Sequence, residues 1–264
     1  GDNATTSMVA AGKADFGVSY QEDVTYALTN EDPLPIKTIA TIIQHNTSGF
    51  VSLKSANINS VKDFEGKTYA GWGAPSEEAV IKAVMNEAGA DFSKLNIVGS
   101  DGSGIAGLSD EVGKNKVNLG WEFYGWAIIK AMQDGYDLNY MPLADLDSRL
   151  DYYTPVIITN NKMIKKNSDT NQKFMEATKK GYEYAIDHPS KAAEILHDDA
   201  LTDTDLKFLK ESQKYLSSQY TKDADSWGVM KDSVWDNYTD FMYETGLIDH
   251  KIDAKDQYTN EFVK

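Results

Sequence analysis

TYAGWGAPSEEAVIKAVMNEAG, Thr68 to Gly89, changes its periodicity part-way along. Thr68 to Trp72 reads as a strand. Gly73-Ala-Pro75-Ser76-Glu77-Glu78 then opens a helix. Pro75 sits near the first helical position, where its missing N–H is no loss, and two acids face the positive end of the helix dipole. Ala79, Val80, Ala83, Val84 and Ala88 line one stripe, and Gly89 ends the helix. Leu95 to Val98 follows as another strand. Strand, helix and strand in succession point to an α/β sheet protein.

The alternation continues outward on both sides. Upstream, Ala14 to Ser19 is a short strand, Asp23 to Leu28 a helix, and Ile36 to Gln44 and Gly49 to Lys54 are two further strands. Ser60-Val-Lys-Asp63 has the form of a capping box on a short helix closed by Gly66. Downstream, Val117 to Phe123 and Leu138 to Met141 are strands, and Tyr153 to Thr159 is a β-rich run whose Pro155 suits an edge or hinge strand. After Asn160 the pattern becomes helical: Ser168 to Asp187, Pro189 to His197, Thr204 to Gln219 and Trp227 to Thr245. In the last of these Met230, Val234, Tyr238, Phe241 and Met242 repeat at helical spacing, as core positions do. The expected architecture is α/β with mixed, mostly parallel sheets.

Composition excludes several classes of function. The 264 residues carry 41 acidic and 26 basic side chains, a formal net charge of −15, which is unsuited to nucleic acid or an anionic membrane surface. Arg149 is the only arginine, so clustered bidentate phosphate forks are unavailable. There is no cysteine, hence no thiolate nucleophile, iron–sulfur cluster or disulfide. His45, His188, His197 and His250 have no metal-ligand spacing, and Asp198, Asp199, Asp203 and Asp205 lack the glycine and terminal glutamate of a calcium loop. No metal and no cofactor is expected. No apolar run is long enough to span a membrane, and GDNATTSMVA at the start lacks the basic and apolar regions of a signal peptide.

Two motifs carry chemistry. Gly102-Ser-Gly104-Ile-Ala-Gly107 matches the dinucleotide pattern GxGxxG, with Glu122 downstream as the acidic partner. Gly99-Ser-Asp101 intervenes before its first glycine, and its helix, Leu108 to Asn115, is short and contains Gly113. A glycine-rich loop between strand and helix is the plainer reading. The second motif, Gly120-Trp-Glu-Phe-Tyr-Gly-Trp126, places aromatic rings beside one carboxylate at a strand end. Alternation puts Trp121 and Phe123 on one face and Glu122 and Tyr124 on the other while the strand lasts. These residues are either core aromatics with a surface acid, or a π platform with an acceptor for the N–H donors of an amino-azine ring. Trp72 and the helix start at Pro75-Ser76-Glu77 could supply a second wall.

AGKADFGVS (Ala11 to Ser19), Ile39 to Gln44, VKDFEGK (Val61 to Lys67), Phe174 to Leu196 and Trp227 to Met230 together resemble the type II extracytoplasmic solute-binding proteins of ABC transporters. SYQEDV (Ser19 to Val24), GWGAPSEEA (Gly71 to Ala79) and WEFYGW (Trp121 to Trp126) resemble the group that binds thiamine pyrimidine precursors. The resemblance implies a periplasmic-binding-protein-like fold of two lobes: 1–50, 51–155, and a mostly helical return to the first lobe over 156–264. It implies a ligand cleft, with Tyr20, Glu22, Gln44, Trp72, Ser76, Glu77, Trp121, Glu122 and Tyr124 as binding residues, and capture without catalysis. The implied partners are an aminopyrimidine-type small molecule and an ABC permease, and the implied location is extracytoplasmic, with a lipid anchor upstream. The family normally starts with a further β-α-β unit, which the sequence is expected to lack. The pyrimidine synthases of this fold resemble a cysteine-rich, iron-dependent version. An enzyme acting on a small heterocycle and a carbohydrate-binding surface module are the alternatives.

Overall fold

The computed structural model describes residues 5–113 and 116–263. The chain divides into two compact units, one of residues 1–46 and 151–264 and one of residues 47–150. The boundaries expected at 50/51 and 155/156 therefore move to 46/47 and 150/151.

The elements in chain order are α1 (Thr5–Ala10), β1 (Phe16–Ser19), α2 (Gln21–Thr29), β2 (Ile36–Thr41), β3 (Ser48–Leu53), β4 (Thr68–Gly71), α3 (Pro75–Glu87), β5 (Asn96–Gly99), β6 (Leu119–Phe123), α4 (Ile129–Gln133), β7 (Leu138–Pro142), α5 (Leu143–Leu146), β8 (Val156–Asn160), α6 (Asn161–Lys166), α7 (Ser168–Asp187), α8 (Pro189–Asp199), α9 (Leu206–Ser217), α10 (Asp232–Glu244) and α11 (Ala254–Gln257). Helix α3 starts as its sequence requires, with Pro75 in its first turn and Glu77 and Glu78 at the dipole's positive end. Gly89, at φ +70°, follows its last turn.

The first unit contains a three-stranded sheet in the order β1-β8-β2. Strand β8 is antiparallel to both neighbours, so β1 and β2 run parallel to each other on either side of it. The sheet is buried on both faces. Val156 and Ile158 of β8 enter one cluster with Val9, Val24, Ile36 and Trp235. Ile157 enters the opposite one with Ile39, Ile43, Met175 and Trp227. Alternation along one strand thus feeds two cores.

The second unit has a five-stranded sheet in the order β5-β4-β6-β3-β7. Strands β5 and β6 are both parallel to β4. Strand β3 is antiparallel to both β6 and β7. The same device therefore operates twice: a strand that begins just after the chain has passed from one unit to the other is inserted, antiparallel, between two parallel strands. The sheets are mixed, but antiparallel ladders outnumber parallel ones, against the expected majority. Sequence alternation reports the direction of β1 and β2, or of β6 and β7, and is blind to the strand that comes between them.

Three local expectations also change. Strand β8 is central, not an edge. Pro155 precedes its first ladder residue, so no ladder donor is missing, and its carbonyl accepts from Ile42 N at 3.0 Å. No helix forms over 108–113, and Lys114 and Asn115 lie outside the described residues. The buried Asn118 instead donates Nδ2 to the carbonyls of Ser109 (3.1 Å) and Glu111 (2.9 Å). Its Oδ1 accepts from Thr68 N at 3.0 Å. Helix α10 begins only at Asp232, because Gly228 turns at φ +88° and the Trp227 indole donates to Ile42 O at 3.1 Å. Among the described residues no helix is long and apolar enough to cross a membrane.

Asp151, where the chain re-enters the first unit, is bound to the segment where it leaves. Its Oδ2 lies 2.6 Å from His45 Nδ1 and its Oδ1 accepts from Asn46 N at 2.9 Å. The bond to Asp151 raises the His45 pKa, against an opposing effect of burial. A histidine with a raised folded pKa contributes stability that is fully present below its unfolded value of about 6.5 and is lost as pH rises through the folded value. The melting temperature is expected to fall as pH is raised from about 6 through this window, by the equivalent of less than about 1 kcal/mol for a partly exposed pair. His45→Gln should flatten that dependence; an unchanged slope in the variant would remove His45 from the account.

Candidate functional site

Because β4, β5 and β6 run parallel, their C-terminal ends share one edge of the sheet. Ligand sites in α/β sheets form at such edges, where loops and helix starts converge. Three connections leave here: Trp72-Gly73-Ala74 into α3, the glycine-rich segment after β5, and the π-helical turn Tyr124–Ile128 after β6.

A line of rings reaches this edge from the core. Phe64 and Phe50 are fully buried with centroids 5.3 Å apart. Phe50 meets its cross-strand partner Trp121 at 5.7 Å. Trp121 meets Trp72 edge-on at 5.1 Å, and Trp72 is 58% exposed. A large indole held against a second one and left open to solvent is a ready stacking surface.

Glu122 follows Trp121 and points to the other face of β6, opposite Gly49. It is half-buried, and burial raises its pKa. Its side chain has no hydrogen-bond or ion-pair partner among the described residues. Gly104 stands beside it, where an added Cβ would lie 3.5 Å from Glu122 Oε1, in ordinary contact. Tyr124 is on the same side but packs inward. Its ring meets Tyr140 at 5.3 Å, it joins the cluster of Val51, Ile105, Ile128 and Ala131, and its amide donates to Thr47 O.

Glu77 is 3% exposed and turned into the protein. Its Oε1 accepts from the Tyr69 hydroxyl and from Trp72 N at 3.3 Å, and its Oε2 from Gly73 N at 2.8 Å. Burial, then the bond to Glu77, holds the Tyr69 hydroxyl protonated, far above its ordinary pKa. Gly71 has no side chain because the carboxylate fills that place: a Cβ would stand 2.1 Å from Oε1. Glu77 thus holds the loop that carries Trp72, and its oxygens face the protein's own donors. Ser76 is buried in the same first turn of α3.

Tyr20, Glu22 and Gln44 belong to the first unit, at the C-terminal ends of β1 and β2. Tyr20 precedes α2 and is 45% exposed. Glu22 Oε2 accepts from the hydroxyls of Tyr152 (3.3 Å) and Tyr238 (3.2 Å), whose rings stack at 4.0 Å. Burial drives both tyrosines well above their ordinary pKa, so both remain donors. Gln44 is buried, with Nε2 donating to Val229 O at 3.0 Å. Within the second unit Trp72, Trp121 and Glu122 therefore come to one sheet edge, supported by Glu77 and Tyr124, whereas Gln44 sits in the framework of the first.

The profile described as "NMT1/THI5 like" matches residues 1–192. The chain belongs to the NMT1/THI5-like family. The formylaminopyrimidine-binding protein of Halalkalibacterium halodurans is 22% identical over 260 residues, covering 96% of this chain and 76% of that one. The 4-amino-5-hydroxymethyl-2-methylpyrimidine phosphate synthase of Legionella pneumophila is 22% identical over 268 residues, covering 98% and 78%. Among solved structures, the alkanesulfonate-binding protein SsuA of Xanthomonas axonopodis pv. citri superposes with a TM-score of 0.68 at 10% identity, covering 95% and 82%. The fold of this NMT1/THI5-like chain is that of periplasmic binding proteins.

Two features of the NMT1/THI5-like edge are absent from the sequence-based set of binding residues. Tyr69, two positions before Gly71, anchors Glu77. Gly104 borders Glu122. The GxGxxG match did include Gly104, in what reads as a glycine-rich loop, and among the described residues no α-helix follows it before β6. Among the described residues no group of three or more His, Asp or Glu is placed to hold a metal ion.

Proposed function

We propose that the chain is an extracytoplasmic solute-binding protein that captures a planar, amino-bearing heteroaromatic nutrient, of the thiamine pyrimidine precursor type, and delivers it to an ABC permease. The observation that carries this reading is the half-buried carboxylate of Glu122, without a hydrogen-bond or ion-pair partner among the described residues, at a sheet edge that also presents the Trp72–Trp121 pair. An amino-azine edge offers paired N–H donors to such a carboxylate, and its ring offers a face to an exposed indole. The H. halodurans relative is named for binding a formylaminopyrimidine, which supports the same ligand class. Ser76 and Tyr124 are proposed as neighbours of the main contacts, and Tyr20 and Glu22, at the strand ends of the first unit, as ligand contacts of that unit.

Calorimetric titration with 4-amino-5-hydroxymethyl-2-methylpyrimidine, beside native mass spectrometry of freshly purified protein for a retained small molecule, tests this. Trp72→Ala is expected to weaken binding by about 1–3 kcal/mol, as loss of an aromatic stacking partner does for nucleobases. Saturable sugar binding with no response to the pyrimidine would replace the reading by the carbohydrate one. The L. pneumophila relative, named a synthase, favours a second reading, an enzyme acting on a small heterocycle. Conversion of the pyrimidine by the purified protein alone would decide for it.

A further inference from the structure

The segment Gly102–Gly107 reaches Glu122 from the connection after β5, and several contacts hold it there. Ser100 N donates to Gly71 O at 2.7 Å, which ties the start of the connection to the end of β4. Ser103 N donates to Asp101 Oδ1 at 2.9 Å, closing a tight turn. Ile105 is buried beneath, with Val51, Ile128 and Ala131. Gly102 and Gly104 take left-handed φ values of +83° and +55°. Gly107 has no room for a Cβ, which would meet Ser103 Oγ at 1.9 Å. The segment is therefore a built wall, and the residue of it that stands beside Glu122 has no side chain to turn toward the carboxylate.

We propose that Gly104 is a specificity-determining residue of the site: lacking a side chain, it leaves the Glu122 carboxylate unpaired and open to the donor pair of a planar amino-azine. This rests on the reading of Glu122 as the ligand's acceptor. A Cβ at position 104 would stand 3.5 Å from Oε1, in ordinary contact with the oxygen and close to the shell of about 2.9 Å that an N–H donor occupies. A side chain with its own donor would go further and take the ligand's place on the carboxylate. Asparagine is that side chain, and it is also the residue that best tolerates left-handed φ after glycine. The wall thus selects for ligands that bring donors to Glu122.

The test is a double-mutant cycle in affinity for 4-amino-5-hydroxymethyl-2-methylpyrimidine, with thermal melts of each ligand-free variant. Gly104→Asn is expected to bind roughly tenfold or more weakly while remaining folded. In the Glu122→Gln background the same substitution should add almost no penalty, because the carboxylate it was to occupy is gone. Gly104→Ala, which has no donor, should lose less than Gly104→Asn, and it carries the test if the asparagine variant does not fold. Gly104→Asn binding like the parent while Glu122→Gln does not, or equal penalties in both backgrounds, overturns the role of Gly104 and leaves the proposed function standing. Glu122→Gln binding like the parent overturns the reading of Glu122 and this inference with it.

Discussion

Glu122→Gln is expected to weaken binding of an aminopyrimidine by about 30- to 1000-fold, equivalent to roughly 2–4 kcal/mol, with little change in the melting temperature of the ligand-free protein. The magnitude follows from removing a charged acceptor from paired hydrogen bonds in a partly desolvated place. The amide keeps one acceptor oxygen but turns a donor toward a donor, so Glu122→Gln should bind almost as poorly as Glu122→Ala. The small effect on stability follows from the structure: the side chain has no hydrogen-bond or ion-pair partner among the described residues, and burial already disfavours its charge. Titration calorimetry beside thermal melts checks both halves. Parent-like affinity would return Trp72 and Trp121 to a packing role. A melting temperature many degrees lower would make the carboxylate a structural partner instead.

Glu77→Ala should have the opposite profile, a large loss of stability with a secondary loss of binding. The substitution leaves the fully buried Tyr69 hydroxyl without its acceptor and opens a void against Gly71. The amides of Trp72 and Gly73, near solvent, can turn to water. Breaking a buried network of this kind costs about 3 kcal/mol, or roughly 6–12 °C in melting temperature for a protein of this size. Hydrogen exchange at the Trp72 and Gly73 amides should accelerate together, since both bonds end on one carboxylate. Glu77 belongs to the ligand rather than to the loop if the variant melts like the parent yet fails to bind.

These two acids look alike in the sequence. Both lie within five residues of a tryptophan near a strand end, and both are natural candidates for ligand contact. What separates them is which donors the fold brings to each. Tyr69 and two loop amides converge on Glu77, through a place left empty by Gly71, while the residue brought to Glu122 is Gly104. Glu22 is a third case, since its partners Tyr152 and Tyr238 lie far along the chain and reach it only once β8 and α10 have packed.

Local chemistry was sufficient for what lies within a few residues. Pro75 with Glu77 and Glu78 starts α3, Gly89 ends it, and the β-branched runs at Ile36 and Val156 become buried strands. The motifs spread along the chain were sufficient for the family, because side chains that shape a fold recur in a fixed order. Neither source contains the insertion of β3 between β6 and β7 or of β8 between β1 and β2, the central place of β8 despite Pro155, or the loop that replaces a helix over 108–113. Each depends on hydrogen bonds between residues distant in sequence, such as Thr68 to Asn118 or Asp151 to His45 and Asn46. The identity of an acid is written in the chain, but whether it faces a ligand or the protein's own donors is set by tertiary packing, because a carboxylate's role is defined by the donors within about 3 Å of it.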